Sequence, residues 1–306
     1  MLRLPSRVVL DDEPLDRPWI RGSRRGGDPG PVLQVRRVDD ATFVLRQSPR
    51  ATWEAPFLYL LLGTRRALLL DTGNVADVDR MPLQPTVAAL VDDWVQAQGL
   101  SDYELVVAHS HGHGDHIAAD VQFAGRDHVT VVGVDELSVR DFFGIDPWPA
   151  GVVPFALGGR ELLVAGIPGH DARSIVIADP SRGLLLTGDT AYPGRLYVQD
   201  LPALQESLDR MVALADTAGT GTILGGHIEF GAHGAEHPVG TRFHPDERPL
   251  PLTVSDLRRL RQLAYDATGR RGVVRGEPMH LWIGACRIPL LRLGVAAVVR
   301  RLRGTG

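Results

Sequence analysis

Four histidines and one aspartate fall within eight residues, His109-Ser-His-Gly-His-Gly-Asp-His116, directly after the apolar run 105–108. The whole chain holds 11 histidines, so the clustering is not a by-product of composition. Neutral imidazole and carboxylate together suit Zn²⁺, Fe or Mn. Gly112 and Gly114 add no side-chain bulk and would let the backbone turn sharply enough for the donors to converge. A run of donors between a short buried strand and a following helix belongs at the carboxyl edge of a sheet, where α/β proteins place their sites. A His-x-His-x-Asp-His frame starts at His111 and takes in His113, Asp115 and His116. Starting at His109 it would need an aspartate at 113, which is histidine, so His109 reads as the last residue of the strand. The competing reading is a solvated histidine-rich loop with adventitious metal affinity, which requires no matching donors downstream.

The pattern along the chain predicts two similar layers. Strands are expected at 32–38, 42–46, 57–62 and 67–70, the last two nearly all apolar and therefore central. Helical spacing of Val87, Leu90, Val91, Trp94 and Val95 predicts a helix over 84–98. A strand at 129–134 precedes a helix over 135–143 opened by Asp135. Strands follow at 161–165, 174–178 and 183–186. Asp200 and Pro202 announce a helix over 201–215. A strand at 222–224 and a helix over 253–267, with Leu257, Leu260, Leu263 and Ala264 on one face, complete the series. Strands, helix, strands, helix implies two packed sheets with helices outside. Residues 1–31 read as an Arg/Gly/Pro-rich extension. Residues 32–306 read as one domain with C-terminal helices over about 253–306, and 228–252 as a long loop rich in His, Gly and Pro.

The histidine frame resembles the metallo-β-lactamase superfamily, and further elements of that family's pattern follow in order. They are an aspartate closing an early strand, in Leu68-Leu-Leu-Asp71-Thr-Gly73; a histidine in Ile167-Pro-Gly-His170; an aspartate in Leu184-Leu-Leu-Thr-Gly-Asp189; and a histidine in Ile223-Leu-Gly-Gly-His227. Taken singly, His170, Asp189 and His227 read equally well as turn residues beside glycine. The resemblance implies a four-layer αββα sandwich with a site for two divalent ions, zinc foremost, with iron or manganese as alternatives. By the same resemblance His111, His113 and His170 hold the first ion, Asp115, His116 and His227 the second, and Asp189 bridges both. Asp71 would orient a ligand through hydrogen bonds.

Such a pair of ions can bring a bridging water toward neutrality and polarise a carbonyl, so hydrolysis by a metal-bridging hydroxide is the implied chemistry. Asp115 would hold and relay a proton. Tyr192, three residues past Asp189, resembles the tyrosine that faces the substrate carbonyl in lactonases of this superfamily; a tyrosine packed under a loop is the alternative. Arg195, Tyr197, His244 and Glu247 are further candidates for the pocket wall. An aspartate at 189 separates the chain from true zinc β-lactamases, and His113 from flavodiiron oxygen reductases, which carry glutamate there. What remains resembles glyoxalase-II-like and lactonase-like hydrolases, so a small thioester, lactone or related ester is the expected substrate, thioester first. A mononuclear iron persulfide dioxygenase is the runner-up; a phosphodiesterase and a non-catalytic binding protein on the same fold rank below it.

Composition narrows the partners. The formal charge of −4 provides no electrostatic reason to expect nucleic acid. All 33 basic residues are arginine, which excludes a lysine Schiff base or lysine general base. Cys286 is the only cysteine, so no intrachain disulfide or multi-thiolate site can form, and it reads as a buried small hydrophobe. No stretch approaches the roughly 20 apolar residues of a membrane span. Acidic residues and prolines interrupt residues 1–31, so they lack the apolar core of a signal peptide, and a cytoplasmic protein is expected. The amphipathic basic segment 288–303 is expected to pack on the domain rather than on a membrane surface. A homodimer is an open expectation.

Overall fold

The structure is a computed structural model and describes residues 2–24 and 30–284. One sheet runs, in spatial order, Val8–Asp11 (β1), Leu33–Asp39 (β2), Thr42–Gln47 (β3), Phe57–Leu62 (β4), Arg66–Leu70 (β5), Glu104–Ala108 (β6) and Val129–Val131 (β7). The second sheet is built from Val152–Ala156 (β8), Glu161–Gly166 (β9), Ile175–Asp179 (β10), Leu184–Gly188 (β11), Thr222–Gly225 (β13) and Leu252–Thr253 (β14), in the order β14-β13-β11-β10-β9-β8. A third sheet places Arg195–Val198 (β12) beside His280–Ile283 (β16), with Gly272–Val274 (β15) outermost.

Alternation along each strand sorts the apolar side chains into layers, because successive residues point to opposite faces. In β4, Phe57, Tyr59 and Leu61 face the second sheet and meet Val164, Ile175, Ile177, Leu184 and Leu186. Leu58, Leu60 and Leu62 face outward onto Leu83, Val87 and Leu90 of the helix Leu83–Gln98 (α1). On the far side, Val176, Ala178, Leu185 and Ile223 are covered by Leu204, Leu208 and Met211 of Leu201–Ala218 (α4) and by Leu257 and Leu260 of Val254–Asp266 (α5). Helix, sheet, sheet, helix is the expected four-layer sandwich. Strands buried on both faces read as unbroken apolar runs, which is why β4 and β5 were legible as central.

The predicted helix signals are the ones in use. After the short helix Gly114–Ile117 (α2), which carries Asp115 and His116, Asp135 accepts from the Ser138 backbone N–H to open Glu136–Phe143 (α3). Asp200 accepts from that of Ala203 to open α4, with proline in the first turn. Thr253 and Asp256 form a reciprocal capping box at the start of α5.

The ends of the chain depart from expectation. Within the expected N-terminal extension, β1 pairs in parallel with β2 and lengthens the first sheet. Trp19 is buried edge-on against Phe57, with the Arg36 guanidinium over its ring. After α5 the chain forms β15 and β16 rather than further helix. Cys286 and the 288–303 segment lie outside the described residues. β8 escaped sequence reading because it is an edge strand with only Phe155 buried, so it carries no strong apolar pattern.

Two sets of polar contacts join the sheets at opposite edges. At one edge Ile175 N–H donates to Ser110 O at 2.9 Å, and Phe57 N–H to Gly226 O at 2.8 Å. At the other, buried Arg160 donates through Nε to Asp179 at 2.9 Å, and through its other nitrogens to Ala41 O and the Thr42 hydroxyl. The first edge carries the carboxyl ends of the parallel pairs β5/β6 and β11/β13. Asp71, His109, Asp189 and His227 follow those strand ends within two residues, so ligands from both halves meet at one place.

Candidate metal centre

Two groups of side chains gather at that edge. His111, His113 and His170 form one; Asp115, His116, Asp189 and His227 form the other; in each group the candidate ligand atoms lie within 4.8 Å of one another. In the first, His111 Nε2 stands 2.9 Å from His113 Nδ1 and 3.2 Å from His170 Nε2, and His170 Nε2 is 3.0 Å from His113 Nδ1. Asp189 stands between the groups. Its Oδ2 is 3.9 Å from His111 and 3.7 Å from His170, while Oδ1 is 3.5 Å from His116 and 3.3 Å from His227. The structure therefore brings His111, His113, Asp115, His116, His170, Asp189 and His227 together. His109 is in neither group; its Nε2 contacts Asp120 Oδ1 at 2.9 Å.

The opposite nitrogen of each ring decides which lone pair is free. His170 Nδ1 donates to Tyr197 O at 2.7 Å, His227 Nδ1 to Glu54 O at 2.9 Å, and His116 Nδ1 to Asp71 Oδ2 at 2.8 Å. Ser110 Oγ donates to Asp71 Oδ2 at 2.9 Å and so can accept from His111 Nδ1 at 3.1 Å. Each of these hydrogen bonds puts the ring proton away from the cluster and leaves Nε2 bare. Two bare nitrogens 3.2 Å apart with His113 Nδ1 about 3 Å from each, and two more facing carboxylates, are the arrangement a cation between them would satisfy. His116 Nε2 and Asp189 Oδ1 are buried with no hydrogen-bond partner among the described residues. A donor set of this kind fits divalent metal ions.

The titration behaviour agrees. Burial pushes the His111 and His170 imidazoliums down. Burial opposes protonation of His116 and His227 as well, but Asp71, Asp189 and Asp115 around His116, and Asp189 and Asp115 around His227, hold both well above the ordinary value. Burial would raise the Asp115 carboxyl, yet His116 and His227 hold it down to about 2. These carboxylates supply the negative charge that a proton takes up in the absence of a metal.

Backbone conformation makes the close approach possible. Asp71 is in the left-handed region at φ 69°, a strained placement that aspartate tolerates, and it accepts from the Ser110 N–H at 2.7 Å while also orienting His116. A Cβ at Gly226 would sit 2.4 Å from Asp189 Oδ1, in the space the ligands need. Gly112 and Gly114, expected to supply the sharp turn, do not have positive φ; the left-handed turns fall at Asp71 and Gly188 instead. Asp71→Asn keeps the shape and the local turn propensity but removes the acceptor charge behind His116. It should weaken metal affinity by about 10–100-fold, as removal of such ligand-orienting partners does, and a competitive chelator titration measures this. Unchanged affinity would show that His116 needs no anionic partner.

The centre forms the floor of a cavity of about 730 Å³. Tyr192 lines it, but its hydroxyl donates to Arg195 O at 2.5 Å and lies 3.3 Å from Glu229. The expected donor to a substrate oxygen is thus already committed to the backbone; the tyrosine packed under a loop is the arrangement found. Arg195 also lines the wall, with its guanidinium locked onto Glu229 at 2.8 and 3.1 Å. Tyr197 lines the cavity, and no hydrogen bond to its hydroxyl occurs among the described residues. His244 stacks on His237 at 4.6 Å and contacts Glu247, which is paired with Arg46.

Sequence reasoning missed Trp53, Glu54, Glu229, His237 and Trp282 in the wall. Glu54 is the most consequential. Burial, with Asp115 nearby, pushes its carboxyl up to about 7, and Asn74 donates to it. Only Glu229, two residues past His227, stood close enough to the motif to be found. The other four sit in segments with no spacing signal.

The model of the metallo-beta-lactamase superfamily matches residues 51–227, which contain every residue of both groups. The chain belongs to this superfamily. A hydroxyacylglutathione hydrolase of Rhizobium meliloti is 30% identical over 148 residues, covering 47% of this chain and 55% of that protein. This superfamily member therefore spans about half the length of the hydroxyacylglutathione hydrolases it matches. Acyl-coenzyme A thioesterase MBLAC2 is 26% identical in the Homo sapiens protein and 36% in that of Bos taurus, in each case covering 66% of this chain and 82% of the relative. The metallo-beta-lactamase FIM-1 from Pseudomonas aeruginosa superposes with a TM-score of 0.51 at 12% identity, covering 81% of this chain and all of that one, a likeness of fold. Among the described residues no helix is long and apolar enough to cross a membrane.

Proposed function

We propose that this protein is a dinuclear metal-dependent hydrolase of a small thioester, lactone or related ester. The observation that carries the reading is Asp189, whose two oxygens face the two groups of ligands. In this reading His111, His113 and His170 hold one divalent ion, and Asp115, His116 and His227 the other, with Asp189 shared. Bound there, two such ions, zinc foremost, would supply a water acidified toward neutrality and a Lewis acid for the carbonyl.

The chain's own side chains do the rest. Hydrogen bonds from His116, His170 and His227 to Asp71, Tyr197 O and Glu54 O hold the rings in the orientation that keeps Nε2 free. Asp115 lines the cavity and can carry a proton between the attacking water and the leaving group. The sandwich buries the floor, so electrostatic effects on a developing oxyanion act at low dielectric. The curated relatives named as thioester hydrolases support a thioester as the first substrate to try.

Metal analysis and a hydrolysis screen test this together. The zinc- or manganese-loaded protein should hydrolyse a member of a panel of thioesters, acyl-homoserine lactones and esters, with about two metal ions per chain. A single iron per chain with oxygen uptake on a persulfide would overturn the hydrolase reading. A phosphodiester as the preferred substrate would overturn the ester assignment alone.

A further inference from the structure

Above the polar floor the cavity changes character. Tyr197 of β12 and Trp282 of β16 are register partners, with ring centroids 5.7 Å apart, and both line the cavity. Ile228 and Val239 of the 228–252 loop continue the same wall. The three-stranded sheet therefore presents the Tyr197 and Trp282 rings to the space over the metal centre, on the same face as Arg195 and His280, while its aliphatic residues Leu196, Val198, Leu281 and Ile283 face the core.

Charge in that wall is already spent. Among the described residues lining the cavity, Arg195 is the one arginine. Its Nε and Nη2 donate to Glu229, its Nη1 donates to His237 O at 3.2 Å, and Glu236 lies 3.6 Å away. Burial, with His244 beside it, pushes the His237 imidazolium below its ordinary value, and its Nε2 is buried without a hydrogen-bond partner among the described residues, while His244 Nδ1 is engaged by Glu247. Glu229 is the counter-ion of that Arg195, and Glu54 is a second carboxyl in the wall. A carboxylate or phosphate entering this space finds no uncommitted arginine among these residues, only the unpartnered His237 Nε2 and Trp282 Nε1, whereas an alkyl chain can lie against the Tyr197 and Trp282 rings, Ile228 and Val239.

Resting on the hydrolase reading above, we infer that the cavity takes an apolar, uncharged acyl group, with Tyr197 and Trp282 as the residues that set acyl specificity, and that any negative charge on the leaving group stays outside it. Two features of known thioester chemistry are thereby separated: the acyl chain is recognised inside, and a charged carrier such as glutathione is not.

The test uses the full metal-loaded chain and thioesters of N-acetylcysteamine, an uncharged thiol, with acyl groups from acetyl to octanoyl. Each added methylene should raise kcat/KM by about fourfold until the cavity is filled. Trp282→Ala should flatten that series, and Trp282→Phe should retain most of it. S-octanoyl glutathione should be preferred over S-lactoyl glutathione. Calorimetric binding of octanoate against acetate supplies a readout independent of turnover, and octanoate should bind at least about 100-fold more tightly. Hydrolysis that ignores chain length, or a preference for the lactoyl ester, overturns this inference and leaves the hydrolase reading intact. Tight octanoate binding without hydrolysis of any ester or thioester would do the reverse. Octanoate bound no more tightly than acetate would overturn the apolar acyl site in either case.

Discussion

Asp189→Asn should leave the fold in place and abolish most of the hydrolysis. Asparagine matches aspartate in size and fits the same buried position, but it carries no charge and offers only one acceptor oxygen. In the native chain each carboxylate oxygen faces a different group of histidines. Loss of a residue that merely orients a ligand typically costs about 10–100-fold, so loss of one facing both groups should cost more than about 100-fold in kcat. Metal content should fall with it, read by elemental analysis after dialysis. A thermal melt of the metal-stripped proteins separates loss of the site from loss of the fold. A variant that retained two equivalents of metal and a kcat within threefold of the parent would remove the bridging role.

The second large effect lies away from the metal, at Arg46 and Glu247. Arg46 of β3 is fully buried, and both of its terminal nitrogens bond the Glu247 carboxylate. Glu247 also accepts from His244 Nδ1 at 2.8 Å, and the next residue, Arg248, donates its N–H to Phe230 O at 2.9 Å. This ion pair fastens the 228–252 loop, one wall of the cavity, to the first sheet. Glu247→Gln would leave the Arg46 charge buried without its counter-ion. Breaking such a pair from one side costs about 3–5 kcal/mol. For a chain of 306 residues that corresponds to a fall in Tm of roughly 5–8 °C. Replacing both residues with methionine should restore much of the loss, since the pair's desolvation cost goes with it. Equal destabilisation by the single and double variants would show that packing, not the stranded charge, sets the effect.

The same pair sets a pH dependence. Burial pushes the Glu247 carboxyl up, but Arg46 and His244 more than offset it and hold the group below its ordinary value of 4.5. Its contribution is therefore complete above that value and is lost as acid titrates the carboxyl through its lower folded pKa. Stability below about pH 4.5 should fall less steeply in the double methionine variant than in the parent chain.

Much of the metal centre could be read in advance because its donors lie at strand ends. A strand that alternates or runs apolar is visible in sequence, and the residues immediately after parallel strands share one edge. His111, His113, Asp115 and His116 needed only that placement and a register. His170, Asp189 and His227 could equally have been turn residues until two strand pairs brought them to the same edge. The cavity wall had no such signal. Tyr192 was placed correctly beside Asp189, but the direction of its hydroxyl depends on where Arg195 O and Glu229 lie, and both belong to segments that meet it only in the folded chain.

The N-terminal stretch makes the same point for the fold. Its Arg/Gly/Pro-rich composition reads as an extension, yet four residues add an edge strand, because an edge strand is held by backbone bonds that any residue but proline can donate. Local chemistry in the amino-acid order was enough to determine the frame from His111 to His116, the helix caps and the two apolar layers, since each depends on residues close in sequence or on a short period. Tertiary structure alone decided that Asp189 faces both groups, that Arg195 is neutralised by Glu229, and that Tyr197 and Trp282 form a wall. Those outcomes depend on side-chain directions and on long-range strand neighbours, which no local period encodes.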